Sequence, residues 1–229
     1  MIATDRNSRQ RHRRLPVVRG AGLVCAAAAA AALLTGCGDD DGNDTKSDAA
    51  TARAAAVTSS VSGSGSPLTE DQDERKALVP KVKTGHEEAL RTAVGAVDGS
   101  KPVSIELKGP PETPRWEAEV ATGDGAKHLL DVDAVTGKAG KARADADQDA
   151  DDKRELADLL KKATVTAEQA ARTATDKTKG TVSSVELDDT DGGAPKWSVD
   201  VVTTEDWNKT TFDIDATNRK ILREHVDKD

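Results

Sequence analysis

Apolar and polar residues alternate along six short segments of the chain, and this pattern predicts β-strands. Alternation places every second side chain on one face of a sheet, as expected for a strand with one covered face. The segments form two groups of three, about eighty residues apart along the chain. They cover residues 103–107, 115–122 and 127–133 in the first group, and 183–188, 196–203 and 209–216 in the second.

The apolar positions of these strands define two predicted cores. Trp116 and Trp197 begin the second strand of each group, and their matching places indicate core residues because large aromatic side chains dominate small cores. The other inward-facing positions are Val103, Ile105, Leu107, Ala118, Val120, Leu130 and Val132 in the first group, and Val185, Leu187, Val199, Val201, Phe212 and Ile214 in the second.

Two helical patterns precede each group of strands. Residues 68–79, with Thr69 as N-cap, and residues 85–97 come before the first group. Residues 152–163 and a helix opened by Thr166 come before the second. Gly- and Pro-containing loops join the strands, as in an antiparallel meander. The sequence therefore predicts one helix–helix–β–β–β unit that occurs twice by internal duplication.

Each repeat contains an Asp-x-Asp pair in its third strand, within "HLLDVDAVTGK" and "TFDIDATNRK". Asp131 and Asp133, like Asp213 and Asp215, should project from the outer face of the sheet. One interpretation is an acidic face that binds a divalent cation or a basic partner such as a protease surface. The other is a solvated face on which Asp133 and Asp215 accept backbone N–H bonds at the turn. The second is favoured because outer faces are usually polar and a metal-loop pattern is absent.

The third tryptophan has no counterpart in the first repeat. Trp207 lies in "TTEDWNK", at a predicted hairpin tip with acidic neighbours, where the first repeat has "TGDGAK". An exposed aromatic residue at a loop tip is a candidate partner contact. The alternative is that the ring folds back over the hairpin.

The first residues have the pattern of a bacterial export signal. Six arginines precede an apolar run that covers residues 21–34 and is too short to span a bilayer. The run ends in "LLTGC", which resembles a lipobox and predicts that the Cys37 sulfur receives a diacylglycerol and that cleavage then removes residues 1–36. Two acyl chains would anchor the protein stably in the membrane, facing outside the cytoplasm. A plain signal peptide is the alternative, and Cys25 is a poorer lipidation candidate because Val24 precedes it.

Charge and composition indicate which segments are disordered and which classes of partner and activity are disfavoured. Residues 37–67 are rich in Asp, Ser, Thr, Gly and Ala and predict a disordered tether. The chain has 33 basic and 41 acidic residues, and loss of residues 1–36 removes six Arg and one Asp, which leaves a net charge of −13. Such a charge disfavours nucleic acid as a partner. No sequence motif indicates catalysis, a metal site or a cofactor, so we expect a non-enzyme.

The duplicated unit resembles the PepSY domain. The resemblance is carried by "EEALRTA" and "EQAARTA", by the Trp-initiated strands and by the strand ends "DVDAVTGK" and "DIDATNRK". It implies an α+β fold with two tandem units, residues 68–148 and 149–229, each with helices on a three-stranded antiparallel sheet. It also implies inhibition or regulation of a secreted or surface protease, or binding of another envelope protein. A cation-binding or structural envelope module is the alternative. The second copy departs at its turn, where we expect Asn218 to adopt the φ > 0 conformation that suits Gly137.

Overall fold

The computed structural model describes residues 67–228, which contain four α-helices and eight β-strands. The predicted signal peptide, Cys37 and the tether up to residue 66 lie outside these residues. In the described part of the chain, no helix is both long and apolar enough to cross a bilayer. The first repeat consists of α1 (Glu70–Leu78), α2 (His86–Gly95), β1 (Lys101–Lys108), β2 (Arg115–Ala121), β3 (Lys127–Asp133) and β4 (Arg143–Ala144). The second consists of α3 (Ala150–Lys162), α4 (Ala167–Lys177), β5 (Thr181–Asp189), β6 (Pro195–Val202), β7 (Lys209–Asp215) and β8 (Ile221–Asp227).

Side-chain caps fix the start of three helices. The N-cap residues of α1, α3 and α4 are Thr69, Asp149 and Thr166. Each cap oxygen accepts a hydrogen bond from the backbone N–H three residues later, and the side chain there accepts from the N-cap N–H. This reciprocal arrangement satisfies two backbone donors that would otherwise lack partners. The predicted helix starts at Thr69 and Thr166 are confirmed.

The strands of both repeats form one antiparallel sheet with the order β4-β3-β2-β1-β5-β6-β7-β8. The predicted α+β class and the three antiparallel strands of each unit are confirmed. The structure adds a fourth strand to each repeat and joins the two sheets through β1 and β5. At this junction Ile105 pairs with Val185, its own counterpart in the other repeat. Ser104 and Glu106 pair with Glu186 and Ser184, so a pseudo-twofold axis passes through the junction.

The hydrophobic core lies between the sheet and the helices. Helix α2 packs on β1, β2 and β3, and α4 packs on β5 and β6. All of the inward positions predicted from the alternating pattern are buried. The indole Nε1 of Trp116 donates to the Thr84 carbonyl, and that of Trp197 donates to the Val165 carbonyl, each at 2.8 Å. Both tryptophans therefore hold the loop before a covering helix against the sheet.

Helix α1 contacts the hairpin of the second repeat. The side-chain amide of Gln72 donates to Asn208 Oδ1 at 2.8 Å. Arg75 Nε donates to the carbonyl of Trp207 at 2.7 Å. Both acceptors belong to the β6–β7 turn, so the first helix of the first repeat is held by the second repeat.

Helix α3 makes the reciprocal contact with the β2–β3 turn of the first repeat. Gln148, just before α3, donates from its side-chain amide to the Gly125 carbonyl at 2.8 Å. Gly125 has φ +85°, and a Cβ placed on it would lie 1.9 Å from the carbonyl oxygen of Lys153 in α3. The first helix of each repeat thus contacts a turn of the other repeat, and these contacts stabilise the two repeats together.

The closing turn of the second repeat differs from our expectation. Gly137 has φ +71° as predicted, but in the second repeat Arg219, not Asn218, has positive φ, at +69°. The backbone N–H groups of Gly137 and Arg219 make equivalent bonds to the Asp133 and Asp215 carbonyls. The two turns therefore keep one backbone shape. Asn218 contributes its side chain instead, donating to Asp215 and accepting from the Lys220 N–H.

Candidate functional site

The four aspartates singled out by the repeated motif occupy two different environments. Asp133 accepts hydrogen bonds from the N–H groups of Val135 and Thr136 at 2.9 and 2.8 Å. Asp215 accepts from the N–H and hydroxyl of Thr217. These bonds lower the pKa of both carboxyl groups below its ordinary value. Asp133 and Asp215 therefore brace the strand-end turns, as the favoured interpretation states.

The other two aspartates face away from the helices and are ion-paired. Asp131 lies 3.7 Å from Arg115 Nε. Asp213 is only 8% exposed, with Arg223 Nε 2.8 Å from Oδ2 and Lys196 Nζ 3.8 Å from Oδ1. Asp213 consequently offers little surface to a partner, whereas Asp131 remains accessible.

The open face of the sheet carries carboxylates and cations side by side. Glu106 stands directly opposite Glu117, and Glu117 directly opposite Asp131. Lys108 and Arg115 lie 2.6 Å from the carboxylates of Glu106 and Glu117, respectively. These cations offset the like-charge repulsion, so most of the face is a network of exposed ion pairs rather than a uniformly acidic patch.

Glu186, next to the pseudo-twofold axis, differs from its neighbours because it forms no ion pair within residues 67–228. Its side chain reaches solvent, but the surrounding protein partly desolvates it and raises its pKa. The nearby carboxylates of Asp188, Glu119 and Glu106 raise the pKa further, against the opposing effect of Lys196. The site therefore disfavours the charged form of this carboxylate.

Glu186→Gln should therefore stabilise the protein at pH 7. A raised folded-state pKa means that the folded protein binds the proton more tightly, so stability is lost as pH rises through that pKa. The gain should be below about 1 kcal/mol because the side chain is exposed, and it should vanish below the unfolded value near 4.5. Urea unfolding at pH 7 measures the gain in stability, and the same experiment at pH 4 shows whether the gain vanishes. The control is Glu112→Gln, an exposed loop carboxylate; equal effects at the two sites would contradict this account.

Trp207 packs back toward the protein. It is half-buried against the hydrophobic core and has φ +58°, an uncommon conformation for a residue with a side chain. Its carbonyl accepts the hydrogen bond from Arg75 described above. The hairpin tip thus fixes α1 to the second repeat, while part of the indole stays accessible.

The edge strand β8 is the most exposed long strand of the sheet and carries two exposed apolar side chains. The opposite edge, β4, has only two residues, whereas β8 has seven, most of them exposed. Leu222 and Val226 on β8 are 45% and 40% exposed. An edge strand presents unpaired backbone N–H and C=O groups, and exposed apolar side chains along it favour association with another chain. The sequence pattern did not predict this strand, because apolar and polar residues alternate poorly in "ILREHVD".

A groove of about 630 Å³ lies on the helix side, between α2 and the start of α4. Sequence reasoning did not find it, because it is formed by residues from both repeats. The charged residues at its rim are Arg91, Lys101 and Glu168. Its apolar lining includes Leu90, Val94, Pro102, Leu160, Leu187 and Trp197.

The described residues contain no group of three or more His, Cys, Asp or Glu side chains that could hold a metal ion. His86 at the start of α2 is half-buried, its Nε2 has no hydrogen-bond partner, and burial lowers its pKa. The neutral imidazole is therefore the favoured form at physiological pH.

Comparison with known proteins identifies both repeats. The model of the family described as "Peptidase propeptide and YPEB domain" (PepSY) matches residues 85–139 and 164–225, which together exceed half of the chain. No curated protein gives a significant sequence match. Candidate lipoprotein CD1622 from Clostridium difficile 630 aligns at 17% identity and a TM-score of 0.41, over 64% of this chain and 95% of that one. YpmB protein from Bacillus subtilis aligns at 18% identity and a TM-score of 0.28, over 62% of this chain and 98% of that one.

Proposed function

Because the chain belongs to the PepSY family, we propose that it is a non-catalytic binding protein that regulates a secreted or surface protease. Acylated Cys37 holds it at the outer side of the cytoplasmic membrane, and the residues up to 67 serve as a tether. The family description, a peptidase propeptide, supports a peptidase as the partner. The resemblance of "LLTGC" to a lipobox supports the anchor.

The observation that carries the proposal is the long exposed edge at β8, which presents the apolar side chains of Leu222 and Val226. Strand addition to an exposed sheet edge is a common way to bind an extended protein segment, since main-chain hydrogen bonds supply affinity and side chains supply specificity. Leu222 and Val226 would contribute apolar contact beside those backbone groups. Trp207 and Asp131 are additional candidate contacts, with Asp133, Asp213 and Asp215 committed mainly to turns and ion pairs.

Inhibition assays test the protease proposal directly. The chain with Cys37→Ser is added to the producing cell's secreted proteases, and hydrolysis of a protein substrate is followed. We expect dose-dependent inhibition, and we expect Leu222→Glu with Val226→Lys to weaken it by at least about tenfold, because charged groups would be desolvated at the contact. Unchanged proteolysis at saturating protein would refute protease regulation.

A matched control separates the edge from general surface effects. Val135 is the other large apolar side chain exposed in the described residues, at 37%, and it lies in a turn rather than on β8. Val135→Lys should inhibit like the unmodified chain. If it weakens inhibition as much as the β8 variants, the edge is not the interface. Dimer formation through β8, seen by light scattering, would assign the edge to a second copy instead.

The anchor has its own test. Radiolabelled palmitate should enter the chain in the producing cell, and Cys37→Ser should abolish the label and release the protein to the medium. Release without loss of label, or label retained in Cys37→Ser, would place the modification elsewhere. Cys25→Ser is the control and should change neither.

A further inference from the structure

We propose that the groove between α2 and α4 binds a single-chain anionic amphiphile of the fatty-acid class, with its carboxylate at Arg91 and Lys101 and its acyl chain against Leu90, Val94 and Trp197. The site is separate from the β8 edge, and the proposal does not depend on protease regulation.

The size and chemistry of the groove suit an acyl chain. A volume of about 630 Å³ falls within the range of roughly 300–1,000 Å³ that is usual for small-molecule sites. Its walls are apolar side chains from both repeats, and an acyl chain gains free energy there with each methylene removed from water.

The backbone groups around the groove are already paired, which disfavours a peptide as the occupant. The N–H groups of Thr164 and Val165 both donate to the Ala216 carbonyl. The Val165 carbonyl accepts from Trp197, and the Leu160 carbonyl accepts from Lys101 Nζ at 3.2 Å. An extended peptide would bury polar backbone groups against partners that are occupied, whereas an acyl chain has no hydrogen bonds to satisfy.

The rim selects an anionic head group. Arg91 is exposed and forms no ion pair within residues 67–228, and Lys101 stands at the start of β1 on the same rim. Glu168 is the opposing charge at this rim, so the local balance is one net positive charge. In a chain of net charge −8, this cationic rim beside an apolar groove is complementary to a carboxylate with a tail.

The groove residues of α2 and α4 are not repeated at the positions that the internal duplication relates to them. The α2 residues Leu90 and Val94 correspond to Ala171 and Thr175 in α4, 81 positions later. Conversely, Ala167 in the groove corresponds to His86 at the start of α2. At the related positions of the other repeat, Leu90 and Val94 are replaced by a smaller and a polar residue, and Ala167 by a bulkier imidazole.

Titration calorimetry of the Cys37→Ser chain with dodecanoate, below its micelle concentration, tests the proposal. This variant carries no covalent acyl chain at Cys37 that could compete. We expect one-to-one binding accompanied by a change in tryptophan fluorescence from Trp197. Arg91→Glu should weaken dodecanoate binding by at least about tenfold, and Arg172→Glu, the matched position in α4, should leave it unchanged. Uncharged 1-dodecanol should bind more weakly than dodecanoate. Its affinity should change little with either Arg91→Glu or Arg172→Glu.

Groove-filling variants locate the acyl chain. Ala167→His introduces the side chain that the first repeat has at this place, and Val94→Trp fills the groove from α2. Either variant that keeps the circular dichroism and melting temperature of the parent should lose dodecanoate binding by at least about tenfold. The proposal is overturned if dodecanoate does not bind, if folded filling variants bind it normally, or if Arg91→Glu and Arg172→Glu behave alike.

Discussion

Trp197→Ala should lower the free energy of unfolding by about 3–5 kcal/mol, the usual cost of removing a large buried aromatic side chain. Trp197 is 3% exposed, and the substitution also removes its hydrogen bond to the Val165 carbonyl. Because β1 and β5 belong to one sheet and the first helix of each repeat contacts a turn of the other repeat, we expect both repeats to unfold in one transition. Urea unfolding followed by circular dichroism and by fluorescence of the remaining tryptophans measures the loss and its cooperativity.

Two control variants help to interpret the loss of stability in Trp197→Ala. Trp197→Phe keeps much of the ring but removes the indole donor, so it should cost less than the alanine variant. Trp207→Ala removes a half-buried ring at a hairpin tip and should cost less still. A Trp197→Ala protein within 1 kcal/mol of the parent, a margin well below the usual cost, would show that the indole is not a core residue. Two separate transitions would show that the repeats fold independently.

Gly125→Ala should destabilise the protein by about 3 kcal/mol or more, since backbone strain and overpacking each cost roughly 1–3 kcal/mol. Gly125 has φ +85°, and its added Cβ would collide with the backbone of α3 rather than with a movable side chain. The hairpin and α3 would have to separate, which breaks one of the two reciprocal contacts between repeats. Urea unfolding gives the stability, and hydrogen exchange of α3 shows whether that helix loosens first.

Gly99→Ala is the matched control, because Gly99 also has positive φ, at +68°, but nothing lies within 4 Å of the added Cβ. It should cost only about 1–2 kcal/mol, the strain of the left-handed conformation alone. Equal losses at the two glycines would mean that α3 does not rest on the β2–β3 turn.

The elements and the core could be predicted because local patterns determine them. Period-two alternation correctly identified the inward faces of six strands, and Thr69 and Thr166 marked helix starts through their capping side chains. The fourth strands escaped prediction because β4 is two residues long and β8 alternates weakly. The joining of the two sheets was not predicted either, because β1 and β5 would each be an edge strand of a separate sheet and their pairing leaves no local signature in the sequence.

The candidate sites were less predictable than the fold. The Asp-x-Asp motif correctly indicated turn bracing by Asp133 and Asp215. It could not show that Arg223 covers Asp213, since that contact depends on β8. The groove between α2 and α4 combines Leu90 with Trp197 across the pseudo-twofold axis, and such a combination becomes visible only when the repeats are assembled. Positive φ at Arg219 was missed because residue preference favours Asn, whereas the shared backbone geometry of the two turns decided the outcome.

The pairing of Ile105 with its own counterpart Val185 has a consequence for how this molecule can vary. Two separate copies of one repeat would form the same junction as a symmetric dimer, in which any substitution appears on both sides. Covalent linkage holds the halves together at a high effective concentration and removes that restriction. One half can then change at a position while the other retains the residue that folding needs. The presence of His86 in one half and Ala167 in the other is a difference that a homodimer could not encode.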